Sequence, residues 1–419
     1  MVYVISQDSK PLMPCSNSIA RLLLKQGKAK VKSREPFTIK LIYETTDYTQ
    51  DLTLGVDTGS GTIGTAVSKD NGDIVYMSEV VVRNDITDKM TQRTKYRKNR
   101  RNRKTRYRKA RWLNRSNSIK KDRFSPTMQS KLHSHVREIE YIQSILPVTE
   151  MVFETGQFDM QLMKNPSLAN PKVRPWGYQK GANYGFENTK AMILNRDNYT
   201  CQCCKGKHKD SKLEVHHIVF RSQGGSDEES NLITLCHTCH KDLHSGKINL
   251  KLSGKVKGNL KYATQMNSIR KQLFRLYPNA IETFGYITKA NRLLLGIDKE
   301  HYYDACTIAT QGNAFNVKSN LYKKKCVSDG DFQKTKGIRS EQPIVTDKIY
   351  GFRKFDKVRY FGNDYFIKGR MSTGYAILMD IDGNKIDFSA MPRGYKTPKL
   401  SNCKRITARS TVMTQVKVV

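Results

Sequence analysis

The densest chemistry in the chain lies between residues 201 and 246, which read CQCCKGKHKDSKLEVHHIVFRSQGGSDEESNLITLCHTCHKDLHSG. Cys201-x-x-Cys204 and Cys236-x-x-Cys239 form two knuckles with 31 residues between them. Four thiolates at that spacing close a tetrahedral site with no open position, so a structural Zn2+ is expected, with Cys203 as a spare thiol. Around the second knuckle stand His216, His217, Asn231, His240 and His244. LEVHHIVF alternates and predicts a strand, NLITLC predicts its returning partner, and CHTCHKDLH predicts a helix with His240 and His244 four apart on one face. Such a ββα unit converges one strand histidine with two helix histidines. Three imidazoles, or two plus an oxygen, can hold one divalent cation, and the neighbouring strand histidine can then take a proton from water. Phosphodiester hydrolysis needs both: a metal on the scissile phosphate and a general base for the nucleophile. The plainer alternative is a zinc-stabilised DNA-binding knuckle without catalysis.

A second constellation is spread along the chain. LTLGVD is an apolar strand ending on Asp57, EMVFETG carries Glu154 near its end, and EHYYDACTIAT predicts a helix with His301 one turn before Asp304. Three carboxylates on one face hold two Mg2+ about 4 Å apart, one activating water and one steadying the leaving oxygen. Taken singly, each acid is more often a surface carboxylate or a cap; their joint context lifts them. After Asp57 come a Gly/Ser turn, the strand TIGTAVSKD, an Asn71-Gly72 turn and the strand DIVYMSEVVV. Three consecutive antiparallel strands with an acid near the end of the first is how an RNase H-type sheet begins.

The charge balance asks for a partner. Lys and Arg number 74 against 38 Asp and Glu, a formal charge of +36 over 419 residues. A compact protein so charged repels itself, so its native state is expected to contain a polyanion. Residues 93–123 hold sixteen of the basic residues and one acid, Asp122, with no Gly or Pro to interrupt a helix. Apart from Tyr96, Tyr107 and Trp112 this helix lacks an apolar stripe, so burial of one face cannot hold it. Nucleic acid is expected to do so, with Arg93, Arg97, Arg100, Arg101, Arg103, Lys104, Arg106, Arg108 and Arg111 as phosphate contacts. A disordered basic tail is the usual fate of such a run, but this one is internal.

The rest of the chain must position these groups. Apolar residues at 37% and charged residues at 27% suit folded domains, about three at ~150 residues each. No apolar run approaches the ~18 residues of a membrane span, and MVYVISQDSKP lacks a secretory pattern. Nine cysteines, five of them within residues 201–239, indicate a metal site in a reducing compartment. Residues 1–45 predict a small α+β unit: strand VYVI, a turn, the rigid apolar corner Pro11-Leu12-Met13-Pro14, a helix capped by Ser16 and ended by Gly27, and strands AKV and FTIKLIY. A helix is predicted over 126–146, and another near 260–277 with Leu260, Ala263, Ile269, Leu273 and Leu276 as its buried stripe. Residues 335–419 alternate around Gly/Asn/Asp turns, as in a small barrel or sandwich.

LEVHHIVFRSQGGSDEESNLITLCHTCH resembles the HNH endonuclease motif in its knuckle-flanked form. By that resemblance His217 is the general base, and His216 stands where the family often has a metal-binding Asp. Asn231 holds the hairpin and orients the base, and His240 and His244 are candidates for the remaining ligands. The order VDTGSGTIG, Arg-rich run, FET, inserted HNH module and HYYDA resembles the split RuvC nuclease with bridge helix found in CRISPR type II effectors. The small size and the PLMP at residues 11–14 are similar to the IscB family of transposon-encoded relatives.

The resemblance implies an α/β multidomain protein, with a split RNase H-like (RuvC) domain, an inserted ββα-metal HNH domain, a small α+β N-terminal domain and a β-rich C-terminal domain. Its expected parts are a PLMP-type domain at 1–48, RuvC segments at 49–90, 125–165 and 257–330, a bridge helix at 91–124, linker and HNH at 166–256, and a DNA-motif-recognition domain at 331–419. It further implies RNA-guided cleavage of both strands of duplex DNA, HNH on the guide-paired strand and RuvC on the displaced strand. Asp57, Glu154, His301 and Asp304 would form the RuvC site, with Mg2+ at both nuclease sites and Zn2+ on the four cysteines. The implied partners are a structured, omega-type guide RNA and target duplex with a short flanking motif, and no membrane. The protein would be a monomer within a ribonucleoprotein in a prokaryotic cytoplasm. The rivals are a protein-only HNH endonuclease of restriction or homing type, and a catalytically silent RNA-binding scaffold.

Overall fold

The computed structural model describes residues 1–102, 124–178, 180–181, 183–208, 210–223, 225–249, 260–328 and 348–418. Arg103, Lys104, Arg106, Arg108 and Arg111 lie outside the described residues. The chain divides into two compact units, one of residues 1–156 and 268–419 and the other of residues 157–267.

The first unit opens with β1 (Val2–Ile5), β2 (Pro11–Cys15), α1 (Asn17–Lys25), β3 (Ala29–Arg34) and β4 (Phe37–Leu41), forming a sheet of order β2-β1-β4-β3. The Ser16 hydroxyl accepts the Ile19 amide to cap α1, and Gly27, at φ +70°, ends it. The apolar corner expected at Pro11-Leu12-Met13-Pro14 is instead β2, pairing antiparallel with β1 through Val4–Leu12 and Ile5–Pro11. It is an edge strand, so its prolines withhold no donor from a second neighbour.

A larger sheet follows. β5 (Leu52–Asp57), β6 (Thr62–Lys69) and β7 (Asp73–Val81) are the three antiparallel strands expected. α2 (Ile86–Asn102) begins seven residues ahead of the basic run, with Asp88 in its first turn and Arg93 and Arg97 exposed along it. α3 (Pro126–Gln143), capped by Ser125, leads into β8 (Glu150–Thr155). Lys324 Nζ reaches both oxygens of Glu138 on α3 at 2.8 and 2.9 Å and the Tyr76 hydroxyl at 2.7 Å, all buried, which ties α3 to the sheet. Removing one partner of such a pair costs about 3–5 kcal/mol, because the other charge is left buried alone.

The second unit contains α4 (Met160–Lys164), α5 (Arg174–Gly177), α6 (Thr189–Arg196), β9 (Leu213–His217), β10 (Leu232–Cys236) and α7 (His237–His244). β9 and β10 form an antiparallel hairpin and α7 follows directly, as the alternation predicts. Met192 and Ile193 of α6 pack on Leu232.

The first unit resumes at residue 268, within α8 (Lys261–Leu276), and continues with β11 (Ile281–Phe284), α9 (Gly285–Leu294), α10 (His301–Ala309), β12 (Asn316–Val317) and β13 (Leu321–Cys326). The stripe of α8 is shifted from the expected one: Met266, Ile269 and Leu273 are buried, Leu260 and Ala263 half-buried, and Leu276 is exposed. The i, i+3, i+7 positions face the interior, and Leu276 falls on the turn that leaves it. β14 (Lys357–Tyr360), β15 (Asn363–Arg370), β16 (Ala376–Met379) and β17 (Lys404–Thr407) make an open four-stranded sheet of order β16-β15-β14-β17. Its core is Val358, Tyr360, Ile367, Leu378, Phe388 and Leu400. The C-terminal stretch is therefore not one closed barrel or sandwich. Its last strand, β18 (Val412–Lys417), leaves to pair antiparallel with β13.

The large sheet runs β11-β8-β5-β6-β7-β13-β18, with β12 beside β7. α10 lies across β5 and β6, which present glycine where it approaches. A Cβ on Gly55 would stand 2.4 Å from Ala309 N, and one on Gly64 2.0 Å from His301 O. Among the described residues no helix is long and apolar enough to cross a membrane.

Candidate nuclease sites

β5 and β8 run parallel with Asp57 opposite Glu154, so residues 97 apart in sequence become neighbours. The close approach of α10 adds His301, whose Nδ1 donates to Asp57 Oδ2 at 2.6 Å, and Asp304 one turn later. Burial, then the charge of Asp57, pushes the Glu154 carboxyl up to about 7. Asp304 is raised for the same two reasons, while His301 is raised chiefly by its bond to Asp57. The charge of Asp57 raises both Glu154 and Asp304, while Arg292 and His301 act against it. Glu154 Oε2 and Asp304 Oδ1 are buried without a hydrogen-bond partner among the described residues. Hard oxygen donors, with Glu154 Oε2 left unpaired, are of the type that Mg2+ takes.

Several residues around this cluster had not been singled out in sequence. Thr288 and Arg292, four apart on α9, both serve it. Thr288 bonds the Glu154 carboxylate, and Arg292 Nε lies 2.9 Å from Asp304 Oδ1 as an ion pair too poorly aligned for a hydrogen bond. Their helical spacing is the signal that could have found them. Gly285 starts α9 against the cluster, since a Cβ there would meet Glu154 Oε1 at 3.0 Å. Glu79 stands opposite Gly64 in the β6/β7 ladder and adds negative charge beside His301. His135, wholly buried on α3, bonds Lys131 O through Nδ1 at 2.8 Å and is held neutral by burial, its pKa lowered to about 4.

The histidine cluster belongs to the second unit. His216 on β9 and His240 and His244 on α7 bring one nitrogen each within 4.8 Å of one another. His240 and His244 both lie within ligand reach of His216. The His240 and His244 Nε2 atoms are 3.3 Å apart, the edge that metal–nitrogen bonds of about 2.05 Å make in a tetrahedron. Phe220 closes one side, 5.4 Å from the His216 ring and 5.5 Å from that of His244. Burial, then the two neighbouring imidazoles, lowers His216 to about 4, so it presents a lone pair.

His217 points away from this cluster, as strand alternation requires, and its Nε2 meets Asp227 Oδ1 at 2.7 Å. Arg221 holds the same oxygen at 2.7 Å. With Nε2–H spent on Asp227, Nδ1 is the basic atom of the ring. Asn231 is buried at the hairpin's entry. Its Oδ1 accepts the Val219 amide at 2.8 Å, and its Nδ2 donates to Val219 O at 3.0 Å and Ser226 O at 2.8 Å. Gly225 lets that loop fold back, since a Cβ would lie 1.8 Å from Val219 O. Glu214, two residues before His216 and so on the same face of β9, reaches His240 Nδ1 at 2.6 Å. This carboxylate orients the ring so that Nε2 faces the cluster. The period of two could have revealed Glu214; nothing in the sequence marks Asp227.

Cys201, Cys204, Cys236 and Cys239 bring their sulfurs within 4.8 Å of one another, with Cys204 and Cys236 3.8 Å apart. Zinc–sulfur bonds of about 2.3 Å make tetrahedral edges of about 3.8 Å, so the four fit zinc. The His208 and Gly206 backbone amides help hold the Cys204 thiol down to about 6, favouring the thiolate that zinc requires. His208 Nδ1 also lies 3.4 Å from Cys239 Sγ.

Residues 2–181 match the family described as RRXRR protein, and residues 201–246 match the family described as HNH endonuclease. The chain is similar to Anaredoxin of a Nostoc species, 33% identical over 69 residues, which cover 16% of this chain and 88% of that protein. It is also similar to the type IV methyl-directed restriction enzyme EcoKMcrA of Escherichia coli, 38% identical over 65 residues, 14% of this chain and 23% of that enzyme. Among solved structures it is similar to Streptococcus thermophilus Cas9 in complex with an AGGA PAM, with TM-score 0.31 and 13% identity over 46% of this chain and 26% of that one. The same Cas9 with an AGAA PAM gives TM-score 0.34 and 11% identity over 59% and 32%. The chain thus spans about a quarter of the restriction enzyme and a quarter to a third of the Cas9 chains.

Proposed function

We propose that this chain, which matches the HNH endonuclease family over residues 201–246, is an RNA-guided nuclease of the IscB kind that cuts both strands of duplex DNA. The observation that carries the reading is the convergence of Asp57, Glu154, His301 and Asp304 at one end of a split sheet, in a chain that separately holds a three-histidine ββα unit. A single-site restriction or homing enzyme has no need of the carboxylate cluster.

In this reading α9, α10 and the large sheet apart from its edge strand β18 are the RuvC domain, assembled from residues 49–90, 125–165 and 257–330. Residues 166–256 are the linker and HNH nuclease, 91–124 the bridge helix, 1–48 a PLMP-type domain, and 331–419 the part that reads a short motif beside the target. At the HNH site His217 Nδ1 accepts the proton of the attacking water. Asp227 steadies the imidazolium that results, and Asn231 keeps the loop beside His217 in place. At the RuvC site His301, held by Asp57, is the proton-transfer group, and Asp57, Glu154 and Asp304 are the metal-binding face. Bound divalent cations would supply charge to the scissile phosphate and acidify water. The oxygen donors of the RuvC cluster suit Mg2+, whereas three imidazoles suit a borderline ion such as Zn2+, Ni2+ or Co2+ better than Mg2+. Zinc on the four cysteines would be structural.

The guide RNA supplies the polyanion that +36 requires. The arginines of α2 and beyond bind its phosphates by bidentate contacts from a rigid fork, and base pairing reads the target. If ~6–10 phosphates are neutralised, guide affinity falls ~10³–10⁵-fold between 50 and 200 mM salt.

The test is nucleic acid that copurifies with the protein, followed by strand-resolved cleavage. RNA should be present, and RNase treatment should abolish cutting. Asp57→Ala should leave a nick in the guide-paired strand, and His217→Ala the opposite nick. Full cutting after RNase treatment would establish the protein-only rival, and intact binding with no cutting under any metal the silent scaffold.

A further inference from the structure

Residues 172–186, KVRPWGYQKGANYGF, take part in neither site. Their first half is firmly seated within the second unit. A Cβ on Gly177 would lie 2.6 Å from Leu168 Cδ2, and Leu168 is buried. The Tyr178 hydroxyl donates to Asp159 Oδ2 at 3.3 Å, and the Arg174 guanidinium sits 5.3 Å from the Tyr178 ring centroid and 3.8 Å from the same carboxylate. Yet Trp176 is 75% exposed and Tyr184 64% exposed. Tryptophan is ordinarily among the more buried residues. A segment held in place but presenting its largest rings to water is arranged for something to cover them.

The charges show what. Lys180 Nζ stands 6.0 Å from the Trp176 ring centroid and 5.4 Å from that of Tyr184, so one ammonium serves both rings and the rings lie within about 11 Å of each other. Lys172 and Lys190 add positive charge along the segment, against Glu187, while Arg174 is paired with Asp159. An apolar protein surface seated here would strip water from these cations without replacing it. Unpaired nucleotides satisfy both features at once, bases stacking on the rings and a phosphate on the ammonium. A duplex does not, because its bases are already stacked on one another.

We propose that Trp176, Tyr184 and Lys180 form a stacking platform for single-stranded nucleic acid. The stated nuclease reading supplies two sources of such a strand, DNA separated from the target or an unpaired stretch of guide RNA. The platform itself rests on the exposed rings and their cation.

The chain has two tryptophans, Trp112 and Trp176. In full-length, RNA-free Trp112→Phe protein the emission of Trp176 should therefore be quenched on addition of oligo-dT or oligo-rU, at about 0.5 M salt to weaken phosphate-only binding. Quenching by one polymer alone identifies the source as DNA or RNA. In the wild-type background, with affinity read by anisotropy of the labelled oligonucleotide, Trp176→Ala or Tyr184→Ala should weaken binding about 5- to 150-fold, while Trp176→Phe retains most of it. Unquenched Trp176 emission, or equal affinity in the alanine variants with zinc content unchanged, overturns the platform. Target cutting is scored separately. Wild-type cutting together with unaffected oligonucleotide binding in the variants sinks the platform alone. Absent cutting together with weakened oligonucleotide binding sinks the nuclease reading alone.

Discussion

Gly64→Ala tests how the carboxylate cluster is built, without touching any carboxylate. The added Cβ would stand 2.0 Å from the carbonyl oxygen of His301, a backbone atom at the start of α10 that cannot swing aside as a long side chain can. Reaching ordinary contact near 3.4 Å requires about 1.4 Å of movement, shared between β6 and α10. β6 is the less free to move, because it is paired on both sides, to β5 and to β7. The helix start therefore carries most of the shift, and with it His301 and Asp304. Overpacking of this kind costs about 1–3 kcal/mol of stability, so the protein still folds. Misplacing reacting groups by about 1 Å costs about 10²-fold in rate. The expected outcome is a displaced-strand cut slowed about a hundredfold, with the guide-paired cut unchanged. The assay is a duplex labelled on each strand in a different colour, followed under single-turnover conditions. Equal slowing of both cuts in a folded protein, or no slowing of either, would falsify the claim that Gly64 sets the helix against the site.

Three further expectations concern the histidine cluster, the carboxylate cluster and the knuckles. Glu214→Gln should weaken divalent-ion binding to the histidine cluster about 10–100-fold by calorimetry, since Glu214 orients His240 at 2.6 Å, while the zinc content of the four cysteines stays constant. Glu154 is held up to about 7 in the fold against 4.5 when unfolded. Between these values the folded chain keeps a proton that the unfolded chain has lost, so the metal-free protein loses stability as pH rises, by up to roughly 3 kcal/mol by pH 8. Glu154→Gln should flatten that slope in denaturant titrations at pH 5 and pH 8 while abolishing the cut made at its own site; an unchanged slope would show that Glu154 does not carry it. Paired Cys201→Ser and Cys204→Ser replacement should release zinc and destroy the guide-paired cut without altering RNA binding, and zinc retained at its original stoichiometry would remove the knuckle assignment.

The histidine and cysteine clusters were legible because their members are close in sequence or sit on elements whose period dictates direction. Two positions between knuckle cysteines, four residues between His240 and His244, and the alternation of LEVHH follow from helix and strand geometry alone. The Ser16 cap and the Gly27 stop of α1 are equally local.

Elsewhere the chain gave no local signal. Pro11-Leu12-Met13-Pro14 reads as a corner until β1 lies beside it, and β18 reads as part of the C-terminal sheet until β13 takes it. Asp227 became the partner of His217 only through the fold of the intervening loop.

What the sequence alone determined is the chemistry on offer: acids at strand ends, imidazoles and thiols at ligand spacing, and a charge of +36. What only the tertiary structure decided is which of those groups meet. Asp57 meets Glu154 through the register of two parallel strands. His301 and Asp304 join them because Gly55 and Gly64 let a helix lie closer to the sheet than any side chain would permit. That last instruction is written as missing atoms, and a missing Cβ acquires meaning only once the chain that fills the space has arrived.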